Sequence, residues 1–304
     1  MLSDLQQIDA LFPALFPTAV FIFGALIGSF LNVVIYRVPK GESIVSPPSH
    51  CACGQPIKWY DNLPILSWFI LRGRARCCGA PYSFRYPAIE AFTGGLFLLC
   101  WLTHPPLVAF AGLVLLGLLI PAMFIDLDHM IIPDGITIGG TVVGVMVSFL
   151  IPSLHGFGGS GIFVLDGMRS ATHAILGVFV GSGLILWIAL IAEALLKKEA
   201  MGFGDVKFMG VIGAFLGWKG AVFAMFGGAI VGTAWFAIAL LIQAVTRQKQ
   251  SAALRAETPE GEETEVGFGA HVPFGPMLAI AAGTYLLGGY RPFNAYLDQF
   301  LQIW

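Results

Sequence analysis

The chain has 304 residues, of which 57% are hydrophobic and 11% charged, with a formal net charge of −2 and a mean hydropathy of +0.82. Soluble domains carry about 25% charged residues, so the composition excludes an ordinary soluble fold and indicates a polytopic membrane protein. The balance of charge supplies no basic surface for nucleic acid.

Apolar stretches of about 17–25 residues read as membrane-spanning helices. Eight are expected, at about 17–36, 87–103, 106–126, 136–152, 173–195, 207–219, 221–245 and 272–290. The sixth is short, and only Gly217-Trp218-Lys219-Gly220 divides it from the seventh. No basic residue precedes Arg37. A cleaved signal peptide wants a positive n-region, so the first stretch reads as a retained helix. The expected fold class is all-α: a polytopic membrane helix bundle of about eight transmembrane helices with a small cytoplasmic cysteine-containing insert. Residues 1–37 form the first transmembrane helix, 38–86 the cysteine-containing loop domain and 87–304 the transmembrane catalytic bundle.

Basic residues set the orientation. Arg37, Lys40, Lys58, Arg72, Arg74, Arg76 and Arg85 border or occupy the first loop, and Lys197, Lys198, Lys207, Arg247, Lys249 and Arg255 fall on the same side. Only Arg169, Lys219 and Arg291 lie opposite. The N-terminus is therefore expected outside and the first loop in the cytoplasm.

Two segments stand out against this apolar background: Phe124-Ile125-Asp126-Leu127-Asp128-His129-Met130-Ile131-Ile132-Pro133-Asp134 and Met201-Gly202-Phe203-Gly204-Asp205-Val206-Lys207. Ionisable groups at membrane depth are costly and mark function. Asp126 follows three crossings and Asp205 five, so both are expected on the cytoplasmic side, whatever the standing of the sixth helix. Two carboxylates from distant segments suit water activation and carbonyl polarisation, as in an aspartic peptidase. Gly202 and Gly204 let another chain approach closely, and Asp205 stands where a helix dipole favours a carboxylate. Asp128 and Asp134 are placed in the turn between helices three and four, with Pro133 opening the latter. The structural alternative makes Asp205 an N-cap and Asp126 an interfacial residue. His129 reads as interfacial rather than as a base, and no Gly-x-Ser-x-Gly elbow is present.

The chain resembles the bacterial type IV prepilin peptidases (leader peptidase and N-methyltransferase), within the Gly-x-Gly-Asp membrane aspartic protease group. The likeness includes Gly28-Ser29-Phe30-Leu31-Asn32-Val33-Val34-Ile35-Tyr36-Arg37-Val38-Pro39, Trp59-Tyr60-Asp61-Asn62-Leu63-Pro64-Ile65-Leu66-Ser67-Trp68, Arg85-Tyr86-Pro87-Ala88-Ile89-Glu90 and both aspartate segments. It implies cleavage after glycine of the leader of type IV prepilins or type II secretion pseudopilins, at the cytoplasmic face of the bacterial inner membrane. It also implies methylation of the new N-terminus from S-adenosylmethionine. Carried over by position, the catalytic pair is Asp126 and Asp205. Asp128, Asp134, Gly202, Gly204, Lys207 and Glu90 are supporting residues.

Relatives often carry two Cys-x-x-Cys pairs in the first loop, consistent with tetrahedral zinc. This chain has Cys51-Ala52-Cys53 and Cys77-Cys78, with Ala75 where the second pair's first cysteine is expected. Cys53 and Cys78 keep the outer pattern, Cys51 and Cys77 look displaced, and His50 is a possible substitute ligand. A structural Zn2+ and unmetallated thiols are both open readings, and Cys100 reads as packing. Arg72, Arg74 and Arg76 suit anionic lipid headgroups. The acidic run from Glu257 to Glu265 matches a basic leader by charge but reads more simply as a linker. No glycine-rich dinucleotide fingerprint appears. Glu90 either faces a cationic amine or ribose hydroxyl, or pairs with Arg85 to anchor helix two. His271 and Pro273 stand near the start of helix eight. Competing functions are a broader intramembrane aspartic protease, an ion-coupled transporter, whose acids belong near the midplane, and a non-catalytic assembly factor.

Overall fold

A computed structural model describes residues 11–197, 201–246, 256–257, 263–264 and 273–302. It is helical throughout, apart from one two-residue antiparallel pairing of β1 (Ala256–Glu257) with β2 (Glu263–Thr264) among the described residues. Five helices are long and apolar enough to cross a membrane. They lie in α1 (Leu15–Arg37), α3 (Arg85–Thr103), α4 (Pro106–His129), α6 (Phe163–Leu196) and α7 (Phe203–Thr246). A shorter apolar helix, α5, runs Asp134–Leu150. The five-residue α2 (Leu66–Ile70) lies in the cysteine loop. Beyond α7, α8 (Gly275–Thr284) passes through a wide turn at Tyr285–Gly289 into α9 (Tyr290–Leu301).

Lipid tails are as apolar as leucine, so membrane helices associate by close packing rather than by a hydrophobic drive. Small residues supply that packing here. A Cβ on Gly28 of α1 would come within 2.8 Å of the Glu90 Cα on α3. Gly177 of α6 and Gly213 of α7 face each other so closely that a Cβ on either would meet the other's carbonyl oxygen. Gly144 of α5 lies against Ala214 and Phe215 of α7, and Gly228 of α7 against Leu278 of α8. Of the five spanning helices the most deeply enclosed is α4, whose Ala109, Leu115, Leu116, Ala122 and Ile125 are fully buried. It packs against α1, α3, α5 and α8 and forms the floor on which the site is built.

Three boundaries differ from the sequence reading. α6 begins at Phe163 rather than near 173. Its first turns carry Asp166 and Arg169, which mask the apolar signal, yet Asp166 is buried and accepts the Ser160 N–H at 3.2 Å. The sixth and seventh stretches form one continuous α7, interrupted only at Gly217 (φ 67°, ψ −178°), a conformation open to glycine alone. α4 runs through Asp128 to His129, with Met130 left-handed at its end, so Asp128 sits on the last helical turn rather than in a loop. Pro133 then stands just before α5, as its N-cap residue.

Candidate functional site

The site forms where the C-terminal end of α4 meets the N-terminal ends of α7 and α8. Asp126 lies in the last turn of α4 and is buried, with 5% of its surface exposed; Asp205 lies in the first turn of α7 at 8%. The Asp126 carboxylate Oδ2 accepts the backbone N–H of Gly275, the first residue of α8, at 3.0 Å. Unpaired N–H groups of a helix N-terminus suit a carboxylate. Ile132 fills the space between the segments. It is 3.7 Å from where a Gly204 Cβ would stand and 3.0 Å from a Gly275 Cβ, which would itself be 2.6 Å from Asp126 Oδ2. Glycines at 204 and 275 thus let α7 and α8 close around the loop that follows Asp126. The charge of Asp126 bears on Asp205.

The other two acids of the segment are engaged elsewhere. Asp128 holds Arg85 through two hydrogen bonds, from Nη1 at 3.0 Å and Nη2 at 2.6 Å, and the guanidinium lies over Phe124. Asp134 accepts Lys207 Nζ at 2.6 Å, with the ammonium 5.4 Å from the Phe203 ring centre. Each pair joins two elements around the buried aspartates: α3 to α4, and α5 to α7. Both are solvent-exposed.

A second cluster stands in the loop between α1 and α3. The four sulfurs of Cys51, Cys53, Cys77 and Cys78 all lie within 4.8 Å of one another. Cys51 Sγ is 3.5 Å from Cys78 Sγ, and Cys53 Sγ is 3.4 Å from Cys77 Sγ. Two tight turns present them. In one, Gly54 takes a left-handed φ and gives its N–H to Cys51; in the other, left-handed Gly79 gives its N–H to Ala75. As thiols Cys51 and Cys77 are strongly inequivalent. The Cys53 N–H and neighbouring thiols draw Cys51 down to about 7, while its hydrogen bond with Cys53 pushes Cys77 up to about 12. A zinc ion bound at about 2.3 Å by four thiolates holds the sulfurs about 3.8 Å apart, so this donor set fits the metal closely.

The loop is pinned to the bundle by Glu90, a buried acid on α3 whose Oε2 accepts the Ile65 N–H at 2.6 Å. Where the loop returns to the bundle, Asn32 Nδ2 of α1 donates to the carbonyl of Tyr86 in the first turn of α3 at 3.2 Å.

Comparison with known proteins settles the lineage. The N-terminal domain of bacterial peptidase A24 matches residues 22–104, and the type IV leader peptidase family matches residues 113–237. A curated "Prepilin leader peptidase/N-methyltransferase" of Aeromonas hydrophila is 34% identical over 95% of this chain and 96% of its own length. This chain belongs to the type IV leader peptidase family. Relatives of the same name from Klebsiella pneumoniae and Myxococcus xanthus are 37% and 39% identical, over 71% and 75% of this chain. The matches span 91% and 65% of those relatives respectively. No solved structure matches the chain.

Within this leader peptidase the sequence-derived residues divide cleanly. Asp126, Asp205, Gly202 and Gly204 gather at one place, while Asp128, Asp134 and Lys207 brace its rim. Glu90 does not pair with Arg85, which Asp128 has taken; it holds Ile65 instead. One Glu90 oxygen is thus committed to the loop, and α3 packs so tightly on α1 that a Cβ on Gly94 would stand 3.0 Å from the Phe21 carbonyl oxygen. Cys51 and Cys77 are not displaced from the cluster. His50 lies outside it, its Nδ1 3.1 Å from the Pro48 carbonyl. Arg76 is held by Asp61 at 2.8 Å and is not available to lipid as Arg72 and Arg74 are. His271 and most of the Glu257–Glu265 run lie outside the described residues. Gly275 is the residue that sequence reasoning missed; its only signal is the Pro273-Phe274-Gly275-Pro276 segment opening α8.

Proposed function

We propose that the chain is a membrane aspartic endopeptidase of the prepilin leader peptidase/N-methyltransferase class, with Asp126 and Asp205 as its catalytic pair. The observation that carries the reading is their shared burial at the junction of α4, α7 and α8, while Asp128 and Asp134 are neutralised by Arg85 and Lys207. The mechanism needs one carboxyl ionised and the other protonated, the division of roles that two acids in one site allow. The ionised member takes a proton from water, which attacks the scissile carbonyl. The protonated member donates a hydrogen bond to that carbonyl oxygen and stabilises the tetrahedral intermediate. Proton return to the amide nitrogen then expels the new N-terminus. The Gly275 N–H fixes the Asp126 carboxylate in position for this exchange.

The substrate is a prepilin or pseudopilin, cut after glycine where its leader leaves the bilayer. This reading draws on the names of the relatives and on the site's place at helix ends. Counting α7 as two crossings at Gly217, and α5 and α8 as one each, gives eight transmembrane segments. The N-terminus then lies outside and the site at the cytoplasmic face of the inner membrane. Residues 1–37, 38–86 and 87–304 act as first helix, loop module and catalytic bundle. Cys51, Cys53, Cys77 and Cys78 hold a structural Zn2+, which ties the two turns of the loop together. The relatives' names support methyl transfer from S-adenosylmethionine as a second activity; this chain's residues give no step for it.

The test is cleavage of a membrane-embedded prepilin by purified protein in proteoliposomes. Asp126→Asn and Asp205→Asn are each expected to lower the rate on the order of 10²–10⁴-fold with the fold intact. A folded variant of either kind that keeps wild-type turnover removes the pair assignment.

A further inference from the structure

The short helix α2 presents an apolar face that no other part of the described chain covers. Leu66, Phe69 and Ile70 are 60%, 58% and 67% exposed. Their spacing of i, i+3 and i+4 puts them on one side of the helix. Ser67 is buried on the opposite side, and the Trp68 indole N–H reaches the Tyr82 carbonyl. A surface of this kind is costly in water unless something apolar covers it.

Where α2 sits decides what covers it. Its entry residue, Ile65, is hydrogen-bonded to Glu90, which lies five residues into the spanning helix α3. At 1.5 Å per residue, that is roughly 7.5 Å along the axis from the point where α3 begins. Side chains on a helix tilt back toward its N-terminus, so Glu90 brings Ile65 to the level at which α3 enters the bilayer. Ile65 holds a left-handed φ of 64°, costly for a β-branched residue, and the chain turns back out through left-handed Arg72 and Gly73. The loop therefore dips to the membrane surface, lays down α2, and leaves. Arg72 and Arg74 follow immediately; both are exposed, and among the described residues neither has a carboxylate partner. Apolar side chains beside exposed arginines match the acyl and headgroup layers of an anionic bilayer.

We propose that α2 is an interfacial anchor: Leu66, Phe69 and Ile70 insert into the bilayer that α3 enters, and Arg72 and Arg74 bind anionic lipid phosphates beside it. The anchor holds the four-cysteine module against the membrane surface, independently of the catalytic assignment.

The full chain is tested in vesicles of phosphatidylcholine with or without phosphatidylglycerol. A fluorescent amino acid replaces Phe69, Ile70 or, as a control at the exposed turn of the cysteine module, Gln55. Quenching by brominated lipid is expected to be strong at the first two positions and weak at the third. Removing phosphatidylglycerol, or introducing R72Q and R74Q, is expected to lower the seated fraction, by roughly fivefold in its equilibrium for each arginine. Equal quenching at all three positions overturns the anchor. Strong quenching that ignores both anionic lipid and the two arginines overturns their part in it. Quenching at positions 69 and 70 that arises only once prepilin is added makes α2 a substrate-docking helix instead, and the lipid proposal fails. Since R72Q and R74Q alter exposed side chains alone, they leave the fold available for comparison.

Discussion

Gly275 donates its backbone N–H to Asp126 across 149 positions of sequence, at 3.0 Å. The contact is possible only because residue 275 has no side chain: a Cβ there would stand 2.6 Å from Asp126 Oδ2 and 3.0 Å from Ile132 Cδ1. The N-terminus of α8 therefore belongs to the site as fully as the two aspartate segments do.

Gly275→Ala is expected to impair cleavage without unfolding the bundle. Relief of the clash moves either α8 or the Asp126 carboxylate. A displacement of about 1 Å at a reacting group costs on the order of a hundredfold in rate. Gly283→Ala, on the same helix but with open space beside it, is expected to leave cleavage near the wild-type value. Prepilin turnover by the two purified variants, with thermal stability in detergent as the control, checks the contrast. Equal effects from both substitutions sink the positioning role.

The ion pairs at the rim predict the opposite pattern for the remaining acids. Exposed pairs contribute ~0–1 kcal/mol because water screens them and both side chains lose freedom. Asp134→Asn and Asp128→Asn are thus expected to shift stability by no more than that, and to reduce cleavage far less than Asp126→Asn or Asp205→Asn. Asp128 is expected to matter more than Asp134, since its two bonds to Arg85 join α3 to the end of the helix that carries Asp126. Turnover of the four variants measured side by side is the check. Loss from Asp134→Asn equal to that from Asp205→Asn reassigns the chemistry.

Much of this arrangement could be read in the chain before folding. Carboxylates are rare in so apolar a sequence, so Asp126 and Asp205 stood out. Counting crossings assigns them to one face because only apolar stretches that precede each aspartate enter the count, so the divided sixth and seventh stretches do not matter. The two turns of the cysteine loop were harder to read. Cys51-Ala52-Cys53 and Cys77-Cys78 break the expected spacing, yet left-handed glycines at 54 and 79 restore a compact set of sulfurs. Ion-pair choice was not legible at all. Arg85 lies five residues before Glu90 and 43 before Asp128, and only the packing of α3 on α4 selects the distant partner. Gly275 was hidden for a related reason, because its role is a backbone donor created by close approach and no side-chain chemistry announces it.

Glu90 separates a structural role from a cofactor-binding one. Its Oε2 holds the Ile65 N–H at 2.6 Å, and an amide oxygen can accept the same bond. Glu90→Gln is therefore expected to keep both the loop's attachment and N-methylation near wild type. Glu90→Ala leaves the Ile65 N–H without its partner, and limited proteolysis is expected to cut between residues 38 and 86 sooner. Methylation assays with labelled S-adenosylmethionine, run beside the proteolysis, check both statements. Methyl transfer abolished in Glu90→Gln while the loop stays protected assigns the carboxylate to the cofactor or the substrate amine.

The cysteine cluster makes a prediction that can be read by counting thiols. Four sulfurs within 4.8 Å of one another repel one another as thiolates, and a bound divalent ion removes that conflict while fixing both turns. Elemental analysis of the purified chain is expected to find one zinc per molecule. With the metal in place, a thiol reagent finds Cys51, Cys53, Cys77 and Cys78 protected. After chelation all four react, and Cys100, fully buried on α3, stays silent until the bundle is denatured. Cys51 is expected to react first near neutral pH: with its pKa drawn down to about 7, its reactive thiolate fills in as pH rises through that value, whereas Cys77, raised to about 12, is expected to react last. Chelation is expected to expose the loop to protease while the α4–α7–α8 core keeps its thermal transition, because the chain enters the loop from α1 and leaves it into α3. Four reactive thiols in the untreated protein, with no zinc present, mark the cluster as a packed thiol set instead.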